Sequence, residues 1–151
     1  MIEQKITSFW AYGIPSQTGS KTAFKVGDRC IITDSNKKYK IWRKSVVLAA
    51  KSSMNSRGLS PHDGPVHLLI TFNMPRPKFH FGTGKNADKL KDSSPDHHTK
   101  EPDLDKLLRN TLDGLTGTCF VDDSQVAMIT ATKIYQSEPR FHGAKVEVYT
   151  L

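Results

Sequence analysis

Cysteines, long apolar runs and repeats are scarce or absent in this chain of 151 residues. The two cysteines, Cys30 and Cys119, are too few for a disulfide framework or for a metal motif built from cysteine pairs. No apolar run is long enough to cross a bilayer, and residues 1–13 lack the basic start and continuous apolar stretch of a signal peptide. We therefore expect one domain over residues 1–151, with no membrane partner, in a reducing cytoplasm where both thiols are small core residues.

Acidic residues are outnumbered by basic ones. Lys and Arg together number 22 against 15 for Asp and Glu, which gives a net charge of +7. Such an excess is typical of proteins that bind an anionic partner, with nucleic acid as the first candidate and a membrane surface as the second. A soluble basic protein without such a partner is the alternative.

A nucleotide-binding loop is also missing. The stretch GIPSQTGSK, residues 13–21, has the composition of a phosphate-binding P-loop, but five residues separate Gly13 from Gly19 and a serine precedes Lys21. This spacing predicts no nucleotide cofactor. One interpretation is a basic loop in which Lys21 and Gln17 contact DNA phosphate, and the other is a plain surface turn.

The periodicity of apolar residues predicts a mixture of strands and two main helices. Strands are expected over residues 6–12, 29–33, 66–73, 126–135 and 145–150, and helices over residues 38–56 and 104–115. Residues 137–143 read as a hairpin connection between the last two strands. This order predicts an α/β or α+β fold, with a small mixed sheet on which the two helices pack.

Residues 74–102 form a long basic loop in this prediction. The segment contains four prolines, six Lys or Arg residues and almost no large apolar side chains. Such a composition cannot build a packed core, so we expect the segment to be mobile in the free protein and ordered on DNA. Lys85, Lys89 and Lys91 are its predicted DNA contacts.

Aromatic residues and histidines lie among these basic residues. Phe79 and Phe81 could stack on bases of an open junction, or could pack against the sheet. His80, His97 and His98 do not have the spacing of a zinc site, and we expect them in a solvated loop.

Two acidic groups contrast with this basic background. In EPDLDKLLRNTLDGLTG, residues 101–117, Asp103 and Asp105 lie at the start of the second predicted helix, and Asp122 and Asp123 follow it. A proline places Asp103 at or near the helix N-cap, so capping explains one aspartate but not the others. Gathered carboxylates repel one another unless a cation lies between them, and hard oxygen ligands suit Mg²⁺ or Mn²⁺. Such an ion can activate water for attack on a phosphodiester that the basic surface holds.

The leucines of this helix define its buried face. Leu104, Leu107, Leu108, Leu112 and Leu115 share one arc, so the opposite face is predicted to carry the chemistry. Asp105 and Arg109 are four residues apart and are therefore expected to be neighbours on the helix surface.

The motif PDLDKLLRNTLDGLTG, followed by VDDSQV, resembles the RusA family of Holliday junction resolvases, in particular its phage-type branch. The close match covers residues 102–126, and GIPSQTGSK, FNMPRPK and the closing strands match more loosely. The resemblance implies a RusA-like fold and a small homodimeric, Mg²⁺-dependent endonuclease. Such an enzyme cuts four-way DNA junctions symmetrically in DNA recombination and repair, in a bacterial or phage-infected cell.

The resemblance also implies which residues act. It places the metal ligands at three aspartates, with a fourth as a neighbouring candidate: Asp103, Asp105, Asp123 and Asp122. A catalytic lysine of the best-known family form lies four residues beyond the second aspartate, where this chain has Arg109. Arginine keeps the charge and binds phosphate, but it does not donate a proton as lysine does. Lys106, a further predicted DNA contact, could share that role.

Two other functions fit the same residues. A non-catalytic module that binds branched DNA would use its acids only to cap helices and to pair with basic neighbours. A metal-dependent nuclease acting on flaps or forks would keep the acidic site and differ in substrate. The gathered acids favour cutting over binding alone.

Overall fold

The computed structural model describes residues 3–18, 21–34 and 37–151, without the side chains of residues 21, 22, 33 and 34. Its strands and helices follow in the order β1 (Lys5–Tyr12), β2 (Lys21–Val26), β3 (Arg29–Asp34), α1 (Lys38–Ser56), β4 (Val66–Pro75), α2 (Leu104–Leu115), β5 (Val126–Gln136) and β6 (Gly143–Thr150). A mixed sheet with two helices confirms the predicted α+β class. Neither helix in the described ranges has the length and apolarity that a membrane crossing requires.

The main sheet has four strands in the order β1-β6-β4-β5. β6 pairs antiparallel with β1 and β4, whereas β5 pairs parallel with β4. The predicted hairpin between β5 and β6 is therefore wrong, because β4 lies between these two strands. A parallel β4–β5 pair needs a long crossover, which the basic segment and α2 supply.

β2 and β3 form a separate two-stranded sheet. The sequence prediction found β3 but assigned Lys21 to a loop and missed β2. Gly27 adopts a positive φ of 61° between these strands, and the Gly27–Asp28 pair flanked by alternating residues is the hairpin signal that identifies them. Cys30 lies exposed on β3, so the prediction that it is a core residue is wrong. Cys119 is buried as expected, and burial raises the pKa of its thiol to about 12.

Both helices lie over one face of the main sheet. Helix α1 buries a side chain every fourth residue, and the stripe consists of Trp42, Val46, Ala50 and Met54. α2 buries Leu107 and Leu115, and its other predicted core leucines pack partly buried against the same core. At Gly114 the two helices approach so closely that an added Cβ would lie 3.0 Å from Val46 Cγ1.

β5 is an edge strand whose outer side is only partly covered. The backbone N–H of His98 donates to the carbonyl of Lys133, and the N–H of Tyr135 donates to the carbonyl of Asp96. The basic segment thus occupies the outer edge near the end of β5. Residues 127–131 have no strand beside them on that edge in the described structure, and Ile129 is exposed there.

The segment expected to be mobile is folded onto the sheet. Three hydrogen bonds tie distant parts of it together: Lys91 N–H to the His80 carbonyl, Gly82 N–H to the Lys89 carbonyl, and the Arg76 guanidinium to the Pro95 carbonyl. Hydrogen bonds to backbone carbonyls, not apolar burial within the segment, therefore hold it in place.

The prediction of a solvated loop is wrong for two of the histidines. His80 and His98 are buried, and each ring centroid lies 4.8 Å from that of Tyr135. Burial lowers the pKa of both imidazoles. Composition of the segment alone could not indicate this, because Tyr135 is supplied by β5.

Candidate active site

The start of α2 presents an aspartate that does not serve as a cap. Asp103 occupies the N-cap position, but its carboxylate makes no capping hydrogen bond. Its side chain is 51% exposed, and its carboxylate lies 3.3 Å from the ammonium of Lys106. The backbone N–H of Asp103 donates instead to Gln17 Oε1, at 2.8 Å. Helix capping therefore does not account for this carboxylate, whose oxygens remain open to a ligand.

Asp105 and Arg109 lie on the exposed face of α2 as predicted. The expected contact between them is not an ion pair, and neither side chain is ion-paired with any other residue that the structure describes. Both charges are thus available to a metal ion or a phosphate.

Lys133 is a feature of this site that the sequence prediction missed. Its ammonium donates to the carbonyls of Lys100 and Pro102, at 2.9 and 2.6 Å. Burial lowers the pKa of Lys133, and the nearby charge of Asp103 opposes that shift. Lys133 pairs with Phe72 in register and therefore faces the helices. A single lysine at a core-facing strand position is the sequence feature that could have identified it as a functional residue. It holds the turn before Asp103 in place and supplies a positive charge beside it.

The second acidic group lies in a capped turn just before β5. Asp122 accepts a hydrogen bond from the Ser124 N–H, and Gln125 Oε1 accepts one from the Asp122 N–H, which together form a capping box. The Gln125 amide also donates to the carbonyls of His62 and Gly64. The DDSQ motif thus fixes the position of Asp123, and Asp122 has the capping role that the simpler interpretation gives it.

The two carboxyl groups of this turn shift each other's pKa in opposite directions. The Ser124 backbone, followed by the Asp123 side chain, lowers the pKa of Asp122. Asp122 raises the pKa of Asp123, and the charge of Asp113 adds to this. Asp113 itself is held by Arg43, at 2.8 Å. Two carboxylates that repel each other are suitable ligands for a hard divalent cation, because the cation compensates their repulsion.

The two acidic groups lie toward opposite ends of α2. Asp103 precedes its first residue, whereas Asp113, whose charge acts on Asp123, belongs to its last turn. Twelve helical residues span about 18 Å. In the described parts of the chain, no group of three or more His, Cys, Asp or Glu side chains is placed to hold a metal ion. Within one chain, Asp122 and Asp123 lie together, whereas Asp103 and Asp105 do not join them in one cluster.

The predicted DNA contacts are placed unequally. Lys85, Lys89 and Lys91 are exposed on the basic segment, whereas Lys106 is half-buried beside Asp103. The side chain of Lys21 lies outside the described residues. Phe79 is 71% exposed, whereas its predicted companion Phe81 is half-buried.

Comparison with known proteins assigns the chain to a family. The family model described as endodeoxyribonuclease RusA matches residues 15–148. The uncharacterized protein YqaN of Bacillus subtilis (strain 168) is 32% identical over 77 residues, which cover 51% of this chain and 54% of YqaN. The chain thus matches about half the length of this curated relative. Because the family match spans nearly the entire chain, this protein belongs to the RusA family of endodeoxyribonucleases, which are divalent-metal-dependent nucleases.

Proposed function

We propose that this protein is a structure-specific endonuclease that resolves four-way DNA junctions by paired symmetric cuts. The observation that carries the proposal is the exposed Asp103 carboxylate, which stands at a helix N-cap without capping it. On a chain with a net charge of +7, a role as ligand of a cation explains this carboxylate better than a contribution to the stability of the fold.

The metal ligands in this proposal are Asp103, Asp105 and Asp123, with Asp122 holding the turn that positions Asp123. Carboxylate oxygens alone suit Mg²⁺, with Mn²⁺ as the substitute. A bound ion of this kind would activate water and stabilise the charge that develops on the phosphate.

The neighbouring cations act on the DNA and on the ligands. Arg109, exposed and without an ion-pair partner in the described structure, is placed to bind a phosphate oxygen. Lys106 contacts the Asp103 carboxylate at 3.3 Å, and Lys133 adds a second positive charge near it.

A homodimer fits both the substrate and the separation of the acidic groups. Two symmetric cuts need two sites related by a two-fold axis. If the free edges at residues 127–131 of two β5 strands pair antiparallel, the start of one strand lies beside the end of the other. The start of β5 follows Asp123, and Lys133 near its end adjoins Asp103. Each site would then combine Asp103 and Asp105 with Asp123 of the partner subunit.

Incubation with labelled DNA tests the proposed function. Purified protein is mixed with a four-way junction, a flap, a fork and a linear duplex of matched sequence, each with Mg²⁺, Mn²⁺ or EDTA. We expect paired nicks at symmetric positions of the junction, with either metal and not in EDTA. Preferred cutting of flaps or forks would replace the substrate in this proposal, and binding without cutting in either metal would show a non-catalytic module.

A further inference from the structure

The charged side chains on the solvent face of α1 are all basic. Between Asp34 and Asp63 the sequence has no acidic residue, and residues 37–57 contain seven Lys or Arg. The helix buries only its Trp42-to-Met54 stripe, so most of these cations face away from the core. Such a concentration of one charge on one helix face is the footprint of a polyanion-binding surface.

A groove lies along the first half of this face. Its volume is about 370 Å³, and it is lined by Tyr39, Lys40, Arg43, Lys44, Val47 and Leu48. Leu48 is 58% exposed, so the groove presents apolar surface among its charged side chains. Lys40 and Lys44 are exposed, and in the described structure neither forms an ion pair.

The groove adjoins α2. The guanidinium of Arg43, a residue that lines the groove, lies 5.0 Å from the centroid of the Tyr39 ring. The same guanidinium donates to Asn110 Oδ1 and to Asp113 Oδ2, each at 2.8 Å. The Asn110 amide also donates to the backbone carbonyl of Tyr39, so the groove lies against the helix that carries Asp105 and Arg109.

We propose that this α1 groove binds the sugar–phosphate backbone of a DNA strand next to the cleavage site, with Lys40 and Lys44 each contacting a phosphate. The two lysines are four residues, hence about 6 Å, apart along the helix axis. Phosphates of one strand rise about 3.4 Å each, so the lysines reach phosphates one or two nucleotides apart. Arg43 is a positioning residue that keeps the groove and α2 in register.

The proposal rests on the proposed nuclease function and adds a surface to it. The DNA contacts predicted from sequence lie on the basic segment, at Lys21 and at Lys106, whereas this groove lies on a different element. Charge complementarity selects the occupant, since a stretch with seven cations and no carboxylate suits a polyanion better than a protein surface of mixed charge.

A salt titration of junction binding tests the groove. Affinity is measured by fluorescence anisotropy in EDTA, so that cutting does not interfere, for wild type and for the Lys40→Ala/Lys44→Ala double variant. Each phosphate contact contributes about 0.9 to the slope of log affinity against log salt. We expect the double variant to bind about tenfold more weakly and to lose up to about 1.8 of that slope. The Lys40→Arg/Lys44→Arg variant should retain both.

The matched control removes the same charge from another element. Lys25→Ala/Arg29→Ala replaces two exposed cations of the β2–β3 hairpin and should change affinity less than about twofold. Equal losses in the two double variants, or unchanged binding by Lys40→Ala/Lys44→Ala, would overturn the proposal. A change of oligomeric state in that variant with intact junction binding would overturn it too, by showing a subunit contact. Failure of the nuclease proposal is separate: wild type would then bind junctions in EDTA yet cut no branched DNA with Mg²⁺ or Mn²⁺.

Discussion

At the residue scale, substitution of Asp103 tests whether this aspartate is a metal ligand or a helix cap. An aspartate that caps a helix contributes about 1 kcal/mol to stability, but the Asp103 carboxylate makes no capping hydrogen bond. We predict that Asp103→Asn abolishes junction cutting, while its free energy of unfolding stays within about 0.5 kcal/mol of wild type. Asp105→Asn and Asp123→Asn should also abolish cutting and leave junction binding intact.

Urea denaturation and a cutting assay on the same preparations check these three variants. Asp28→Asn is the control, because Asp28 is an exposed aspartate in the β2–β3 turn, and it should cut at the wild-type rate. A stable Asp105→Asn protein with full nuclease activity would remove Asp105 from the metal site.

Substitutions of Arg109 test whether cutting needs a positive charge or a proton donor at the position one turn beyond Asp105. Because its side chain is exposed and unpaired within the described structure, Arg109→Ala should lose most of the cutting rate with little change in stability. Arg109→Lys keeps the charge and should remain active. Single-turnover rates on a four-way junction check this, and a normal rate for Arg109→Ala would make the residue a plain surface group.

At the element scale, Gly114 sets the distance between the two helices. An added Cβ would lie 3.0 Å from Val46 Cγ1 and 3.5 Å from the Arg43 carbonyl. Overpacking of this kind costs about 1–3 kcal/mol, and better helix propensity offsets only about 1 kcal/mol. We predict that Gly114→Ala lowers the free energy of unfolding and also weakens cutting, since Arg43 and Asp113 would separate.

A double-mutant cycle isolates that contact. Val46→Ala shortens the opposing side chain, so the Gly114→Ala/Val46→Ala protein should be more stable than the sum of the single changes predicts, by more than about 0.5 kcal/mol. Additive urea midpoints, or a Gly114→Ala protein as stable as wild type, would contradict this account.

The basic segment is a second surface at this scale. Lys85, Lys89 and Lys91 are exposed on a segment that backbone hydrogen bonds hold onto the sheet. Neutralising all three should weaken junction binding and lower the salt slope by about 0.9 for each lost phosphate contact, with unchanged thermal stability. Anisotropy at several salt concentrations measures this. If affinity and slope both stay at wild-type values, the segment is a spacer.

At the scale of the whole molecule, mixed dimers test whether a site draws on two chains. Asp103→Asn/Asp105→Asn subunits and Asp123→Asn subunits are each expected to be inactive. In a heterodimer with shared sites, one site collects all three substitutions and the other collects none. Mixing the two proteins should therefore restore nicking to about a quarter of the wild-type level, by statistical pairing.

Sites confined to single chains would leave the mixture inactive. Ile129→Lys supplies a second check, because a charge on the free edge of β5 opposes strand pairing. We expect that variant to sediment as a monomer and to lose cutting. A dimeric, fully active Ile129→Lys protein would place the interface elsewhere.

The sequence by itself determined the local structure and the family. Both helices begin and end where the leucine stripe and the α1 periodicity predict, at residues 38–56 and 104–115. The PDLDK and DDSQ motifs identify the family without any structure, and the match over residues 15–148 confirms it. Helical periodicity and motifs can be recognised in a sequence because they depend on residues close together along the chain.

Only the tertiary structure decided how these pieces meet. The placement of β4 between β5 and β6, Lys133 behind Asp103, and the two histidines around Tyr135 all depend on residues distant in sequence. The sequence also does not show the direction of the Asp103 side chain, because an aspartate that precedes a helix can turn toward the free backbone N–H groups of the first turn or toward the Lys106 ammonium. Strand order and side-chain direction are set by packing and pairing across the whole chain, and local periodicity does not encode these contacts.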